Sequence, residues 1–144
     1  MELKTILIAY TDDLWAKSVC TFIRGMGYRV EMTRTLSEMI RKVRNAHVIL
    51  LDDDIEGMKA YDVVPLLKRI RSRIPVIAVS SQESLDFARK LRSSGIFYQA
   101  MKPIDSEEIR SAVECAFEKI ERESLRKGLF AFLMPSDGPS LCII

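Results

Sequence analysis

The sequence predicts an α/β domain, a five-stranded parallel sheet doubly wound by helices on both faces. Three observations predict it. Five short apolar runs alternate with five stretches whose apolar residues recur every three or four positions, and the connections between them are short. Such alternation returns each strand to the same edge through a helix, which makes the sheet parallel. The central run, Val48-Ile-Leu-Leu51, is unbroken and half β-branched, as suits a strand covered on both faces. It ends in Asp52-Asp53-Asp54, so charge emerges at the carboxyl edge, where open α/β sheets place their chemistry.

Bulk properties narrow the class. At 144 residues the chain is one domain with a single core. A net charge of +2 is too small to argue for nucleic acid, and no such partner is expected. No apolar run reaches spanning length, so no membrane contact is expected either, and Met1-Glu-Leu-Lys-Thr5 lacks the layout of a signal peptide. Cys20, Cys115 and Cys142 are an odd number without metal-ligand spacing, which points to reduced thiols. The C-terminal Cys142-Ile-Ile is one residue short of a prenylation box. The expectation is a soluble, cytoplasmic protein.

Taken in order, Thr5–Tyr10 is the first buried strand, and Thr11, Asp12 and Asp13 can cap a helix from Leu14 to about Gly25. Trp15, Val19, Phe22, Ile23 and Met26 form its apolar face. Gly25 and Gly27 stop it, and Tyr28–Met32 is the second strand. Thr35-Leu-Ser-Glu38 is a capping box opening the second helix. After the central strand and a loop through Gly57, a third helix begins near Asp62, with Pro65 placed in its first turn. Lys68, Arg69, Arg71 and Arg73 then favour the negative end of the helix dipole. Ile74–Ser80 is the fourth strand, Ser81 or Gln82 to Ser94 the fourth helix, and Ile96–Met101 the fifth strand. Asp105-Ser-Glu-Glu108 caps a long helix running toward Arg126 or Lys127. From Gly128 the composition turns apolar and then Pro- and Ser-rich, which divides the chain into a domain over 1–127 and a tail over 128–144, too short for an effector domain. Leu129, Phe130, Phe132, Leu133 and Met134 are expected to dock on an apolar surface, on this domain or across a dimer.

Three adjacent carboxylates repel one another, so Asp52–Asp54 is either a solvated acidic loop or a place for a cation or a phosphoryl group. Two further residues end later strands: Ser80 closes the fourth, and Lys102-Pro103 follows the fifth. With these in place the first 120 or so residues resemble a response-regulator receiver domain, the phospho-accepting module of two-component signalling. The resemblance implies a flavodoxin-like sheet of strand order 2-1-3-4-5. It implies Asp52 as phospho-acceptor, Ser80 as the hydroxyl that senses the phosphoryl group, and Lys102 as the cation that pairs with it. Gly57 and Met58 match part of the loop after the acceptor, and the Lys-Pro peptide bond of the family is often cis. The implied partners are a sensor histidine kinase or phosphotransfer protein and a downstream protein target, with a homodimer as a further option.

The chemistry agrees with those roles. An aspartate can accept a phosphoryl group as an acyl phosphate, and such transfer depends on fixed cations. Lys102 supplies a compact charge on a flexible stem, and Ser80 supplies a hydroxyl donor.

The sequence departs from the family at two places. The adjacent acids that hold Mg²⁺ at the end of the first strand are here Tyr10 and Thr11. Asp12 and Asp54 are the remaining candidates to join Asp52 around a Mg²⁺ ion, and Asp12 and Asp13 serve equally well as helix caps. The aromatic switch of the fifth strand is replaced by Gln99, and its neighbour Tyr98 lies on the opposite face. Glu56, Lys59 and Ala60 stand where the loop of the family favours Pro, Asp and Gly. Three functions follow: a single-domain receiver phosphorylated on Asp52, a pseudo-receiver that docks partners without phosphorylation, or a haloacid dehalogenase-like phosphatase built on Asp52-Asp53-Asp54. The last lacks a later acid pair at a strand end, and a non-enzymatic role is expected. The single histidine, His47, opens the central strand and reads as structural, with neither metal nor phosphorelay role.

Overall fold

Five strands pair in parallel in the computed structural model, which describes residues 4–81 and 84–133, without side chains beyond 128. The elements are β1 (Thr5–Ala9), α1 (Asp13–Gly25), β2 (Arg29–Thr33), α2 (Leu36–Lys42), a 3₁₀ turn (Val43–Asn45), β3 (Val48–Leu51), β4 (Asp54–Ile55), β5 (Met58–Lys59), α3 (Ala60–Ile70), β6 (Val76–Ser80), α4 (Leu85–Ser93), β7 (Tyr98–Met101) and α5 (Ser106–Leu133). The sheet order is β2-β1-β3-β6-β7, the expected 2-1-3-4-5 with the β4–β5 hairpin set aside. This is the flavodoxin-like arrangement.

Alternating side chains divide the core between the two faces. Ile6, Ile8, Val48, Leu50, Ile77 and Val79 pack with α1 and α5, around Trp15, Ile23, Val113 and Phe117. Leu7, Ala9, Ile49, Leu51, Val76 and Ala78 pack with α2, α3 and α4, around Met39, Val64, Leu67 and Phe87. All of β3 is fully buried, so its unbroken apolar run has the expected cause. The registers Ala9↔Leu51 and Leu51↔Ala78 place the carboxyl ends of β1, β3 and β6 side by side.

Local expectations differ at five points. The loop after β3 contains a hairpin, because Glu56 (φ 49) and Gly57 (φ 84) both take positive φ, as a two-residue turn with the right twist requires. Helix α3 starts two residues early, so Pro65 is its sixth residue; it is exposed, and the carbonyl that loses its donor, Tyr61, belongs to the first turn. The capping box at α2 is half formed: Thr35 accepts from the Glu38 amide, but Glu38 receives the Thr33 hydroxyl instead of reaching back to Thr35. Helix α4 begins at Leu85, capped by Ser84, because Ser81 is bound elsewhere. Helix α5 continues through Gly128 to Leu133, past its expected end. The expected docking of Leu129, Phe130, Phe132, Leu133 and Met134 lies outside the described side chains.

Candidate functional site

Asp52 is the first residue past β3 and is 2% exposed, although it is charged. A carboxylate is tolerated there only if donors replace the water it has lost. Its Oδ2 accepts from the backbone N–H groups of Thr11 (2.8 Å) and Asp12 (3.0 Å) and from the indole Nε1 of Trp15 (3.0 Å). Its Oδ1 accepts from Lys102 Nζ (2.8 Å) and from the Asp53 amide (2.8 Å). The first three donors come from the turn between β1 and α1 and from α1 itself; Lys102 arrives on the turn between β7 and α5. Burial by itself would raise the Asp52 carboxyl. The hydrogen bonds from Lys102, Thr11, Trp15 and Asp12 outweigh it and hold the group below its ordinary value, so it is ionised at neutral pH.

The other expected residues gather around this carboxylate. Ser80 is buried at the end of β6, the strand beside β3, and its carbonyl accepts from the Lys102 amide (2.8 Å). The register Ser80↔Met101 sets Lys102 one step beyond Ser80 at the same edge, and the Lys102–Pro103 peptide bond is cis. Asp12 caps α1 by accepting from the Leu14 amide, and its second oxygen lies 3.8 Å from Lys102 Nζ. Thr11 donates its hydroxyl to the Asp54 carbonyl (2.8 Å) and stands 3.4 Å from Asp54 Oδ1. Tyr10 packs on the core, its ring under the guanidinium of Arg34, which also pairs with Asp13 (3.0 Å) and donates to the Thr11 carbonyl (3.1 Å).

Two features were not legible beforehand. The spacing places Trp15 on the apolar face of α1, and it is buried there, but its N–H donates to Asp52. A buried tryptophan needs a partner for that N–H, and its place one turn past the end of β1 was the available signal. Asp53 accepts from both the amide (3.0 Å) and the hydroxyl (2.9 Å) of Ser81, tying the loop after β6 to the end of β3. Glu56 reaches from the hairpin to the Leu36 amide (2.7 Å) at the start of α2. Gln99 occupies the switch register, paired with Ala78, and Tyr98 is held by Glu108 of α5 (2.5 Å), a bond that raises the pKa of its phenol. His47 sits at the opposite edge, where its Nδ1 accepts from the Thr5 amide (2.9 Å), as a structural residue does.

A sequence profile described as "response regulator receiver domain" matches residues 6–114. The chain belongs to that family. It is 32% identical over 119 residues to the DNA-binding transcriptional regulator NtrC of Azospirillum brasilense, covering 81% of this chain and 24% of the relative. The response regulator TodT of Pseudomonas putida is 25% identical over 115 residues, covering 78% and 51%. The chain thus spans about a quarter of the length of the NtrC-type relatives and about half of TodT. A CheY-like receiver domain from Methanospirillum hungatei JF-1 superposes with a TM-score of 0.78 at 23% identity, covering 85% of this chain and 99% of that one. The receiver of an HD-domain protein from Pseudomonas fluorescens Pf-5 gives 0.81 at 16% identity, covering 88% and 95%. Receiver domains are signalling modules that work with histidine kinases and downstream effectors, and they generally bind Mg²⁺ in an acidic pocket. No described helix is long and apolar enough to cross a membrane.

The residues of this pocket do not fit Mg²⁺. The ion needs near-octahedral oxygen ligands at short range, and Tyr10 and Thr11 supply no carboxylate. The Thr11 hydroxyl is turned to the Asp54 backbone, Asp12 caps a helix, and three N–H groups aim their positive ends at Asp52 Oδ2. Among the described residues, Asp52, Asp12 and Asp54 do not form a group able to hold a metal.

Proposed function

We propose that this chain is a receiver-fold signalling module that works by docking protein partners, with Asp52 serving as an ionised structural hub and not as a Mg²⁺-assisted phospho-acceptor. The observation that supports this most is that Asp52 Oδ2 accepts from Thr11, Asp12 and Trp15 at once. A phosphoryl donor approaching Asp52 meets a carboxylate whose charge is already compensated by these donors and by Lys102. Lys102 is the cation present, and its 2.8 Å bond to Oδ1 must loosen before it can serve a phosphoryl group.

One arrangement favours a second reading, phosphorylation of Asp52 by a sensor histidine kinase or phosphotransfer protein. Lys102 and Ser80 stand at the ends of adjacent strands beside Asp52, as an acceptor site requires. Intact-protein mass spectrometry after incubation with acetyl phosphate, with and without Mg²⁺ and beside Asp52→Ala, separates the two. The docking reading expects no adduct from folded protein. A stoichiometric adduct dependent on Asp52 establishes the second reading. In both, the signalling unit is 1–127 and the apolar stretch 128–144 covers a surface of this or a second copy. Truncation after Gly128 then lowers thermal stability or changes oligomer size, and a change in neither refutes the covering role.

A further inference from the structure

We propose that Trp15 is the positioning residue that excludes a metal from Asp52, its indole N–H occupying the carboxylate face that a divalent cation would otherwise take. The inference rests on the docking reading and adds what enforces it: a side chain of α1, in addition to the missing acids.

The geometry assigns this role by several independent contacts. Trp15 is the chain's single tryptophan, and it is 6% exposed. Nε1 lies 3.0 Å from Asp52 Oδ2, the oxygen that also receives the Thr11 and Asp12 amides. Lys102 Nζ lies 5.9 Å from the centroid of the same ring while bonding the other oxygen, Oδ1. Indole, carboxylate and ammonium therefore contact one another as a closed set, in which Trp15 both donates to the anion and offers its π face to the cation. The backbone amides of Thr11 and Asp12 belong to the turn between β1 and α1. The indole is buried and belongs to the core cluster shared by α1, α5 and the sheet, which fixes its place. A cation entering on this side has to displace a ring fixed by the core, and the displaced N–H would be left buried without a partner. Thr11 alone does not explain the exclusion, because restoring its carboxylate leaves the indole in place.

The test is a two-by-two comparison of wild type, Thr11→Asp, Trp15→Phe and Thr11→Asp/Trp15→Phe, with Mg²⁺ affinity read by calorimetry and folding checked by thermal melts. Phe keeps an aromatic body and removes the N–H. The double variant is expected to bind Mg²⁺ more tightly than Thr11→Asp by about tenfold or more, the range over which groups around a metal's ligands act. Equal affinity of those two proteins overturns the role of Trp15 and leaves the docking reading intact. An Asp52-dependent phosphate adduct on wild type overturns the docking reading instead. A second measurement needs no variant at Trp15: the single indole N–H resonance of wild type is expected to exchange slowly and to move in Asp52→Asn. Rapid exchange in wild type, or no movement in that variant, also overturns the proposal.

Discussion

At the carboxyl edge of the sheet, Asp52 is 2% exposed and bound by donors from two separate turns and from α1. At the amino edge of the same sheet, Arg29, Glu31, Lys42, Arg73 and Glu123 pair with one another at 3.3–3.6 Å with their side chains between 23% and 64% exposed. The first arrangement couples distant segments, because a buried charge forces each donor to keep its place. The second adds little hold on its segments, since water replaces a lost partner at little cost. Arg71 stands between the two cases. Its guanidinium donates to the Val43, Arg44 and Ala46 carbonyls, which caps the end of the α2 segment without any carboxylate. Charge therefore holds this fold together where it is buried and many-partnered, and only decorates it where it is paired in solvent.

The largest effect that separates the edges is expected from Asp52→Ala. It leaves the Trp15 indole, three amides and a mostly buried ammonium without their acceptor, at a cost of about 3 kcal/mol in denaturant unfolding. A variant as stable as wild type would show that water takes over those donors and would erase the contrast.

Acid sharpens it next. The folded-state pKa of Asp52 is depressed, so its contribution to stability is full above the unfolded value of about 4 and disappears as pH falls through the lower folded value. Urea midpoints of wild type and Asp52→Asn are expected to converge over that acid range. Parallel pH curves would deny Asp52 its special part in acid unfolding.

Arg71→Ala is expected to cost about 1–2 kcal/mol through the carbonyls it abandons, fewer of which are fully enclosed. Glu31→Gln, which breaks the pairs with Arg29 and Lys42, is expected to change stability by at most about 0.5 kcal/mol, less at high salt. A loss from Glu31→Gln equal to that from Asp52→Ala would contradict the ranking outright.

Much of this architecture could be read from local pattern. The unbroken run of β3, the three-and-four spacing of α1 and the positions of Asp52, Ser80 and Lys102 at strand ends all appear in the structure where the sequence places them. Boundaries moved where a distant residue intervened. Ser81 and Ser84 are both competent helix caps, and Asp53 decides between them by claiming Ser81. The β4–β5 hairpin is not legible in the sequence, because Glu56 is an unusual residue for positive φ and Gly57 alone signals a turn.

The sequence by itself determined the sheet, its helices and the group of residues at its carboxyl edge, because periodicity and strand ends are short-range properties of the chain. Only the tertiary structure decided what state Asp52 is in. Its partners lie 37 residues away at Trp15 and 50 at Lys102, and a hydrogen bond depends on where the fold brings donor and acceptor together, which no local pattern encodes.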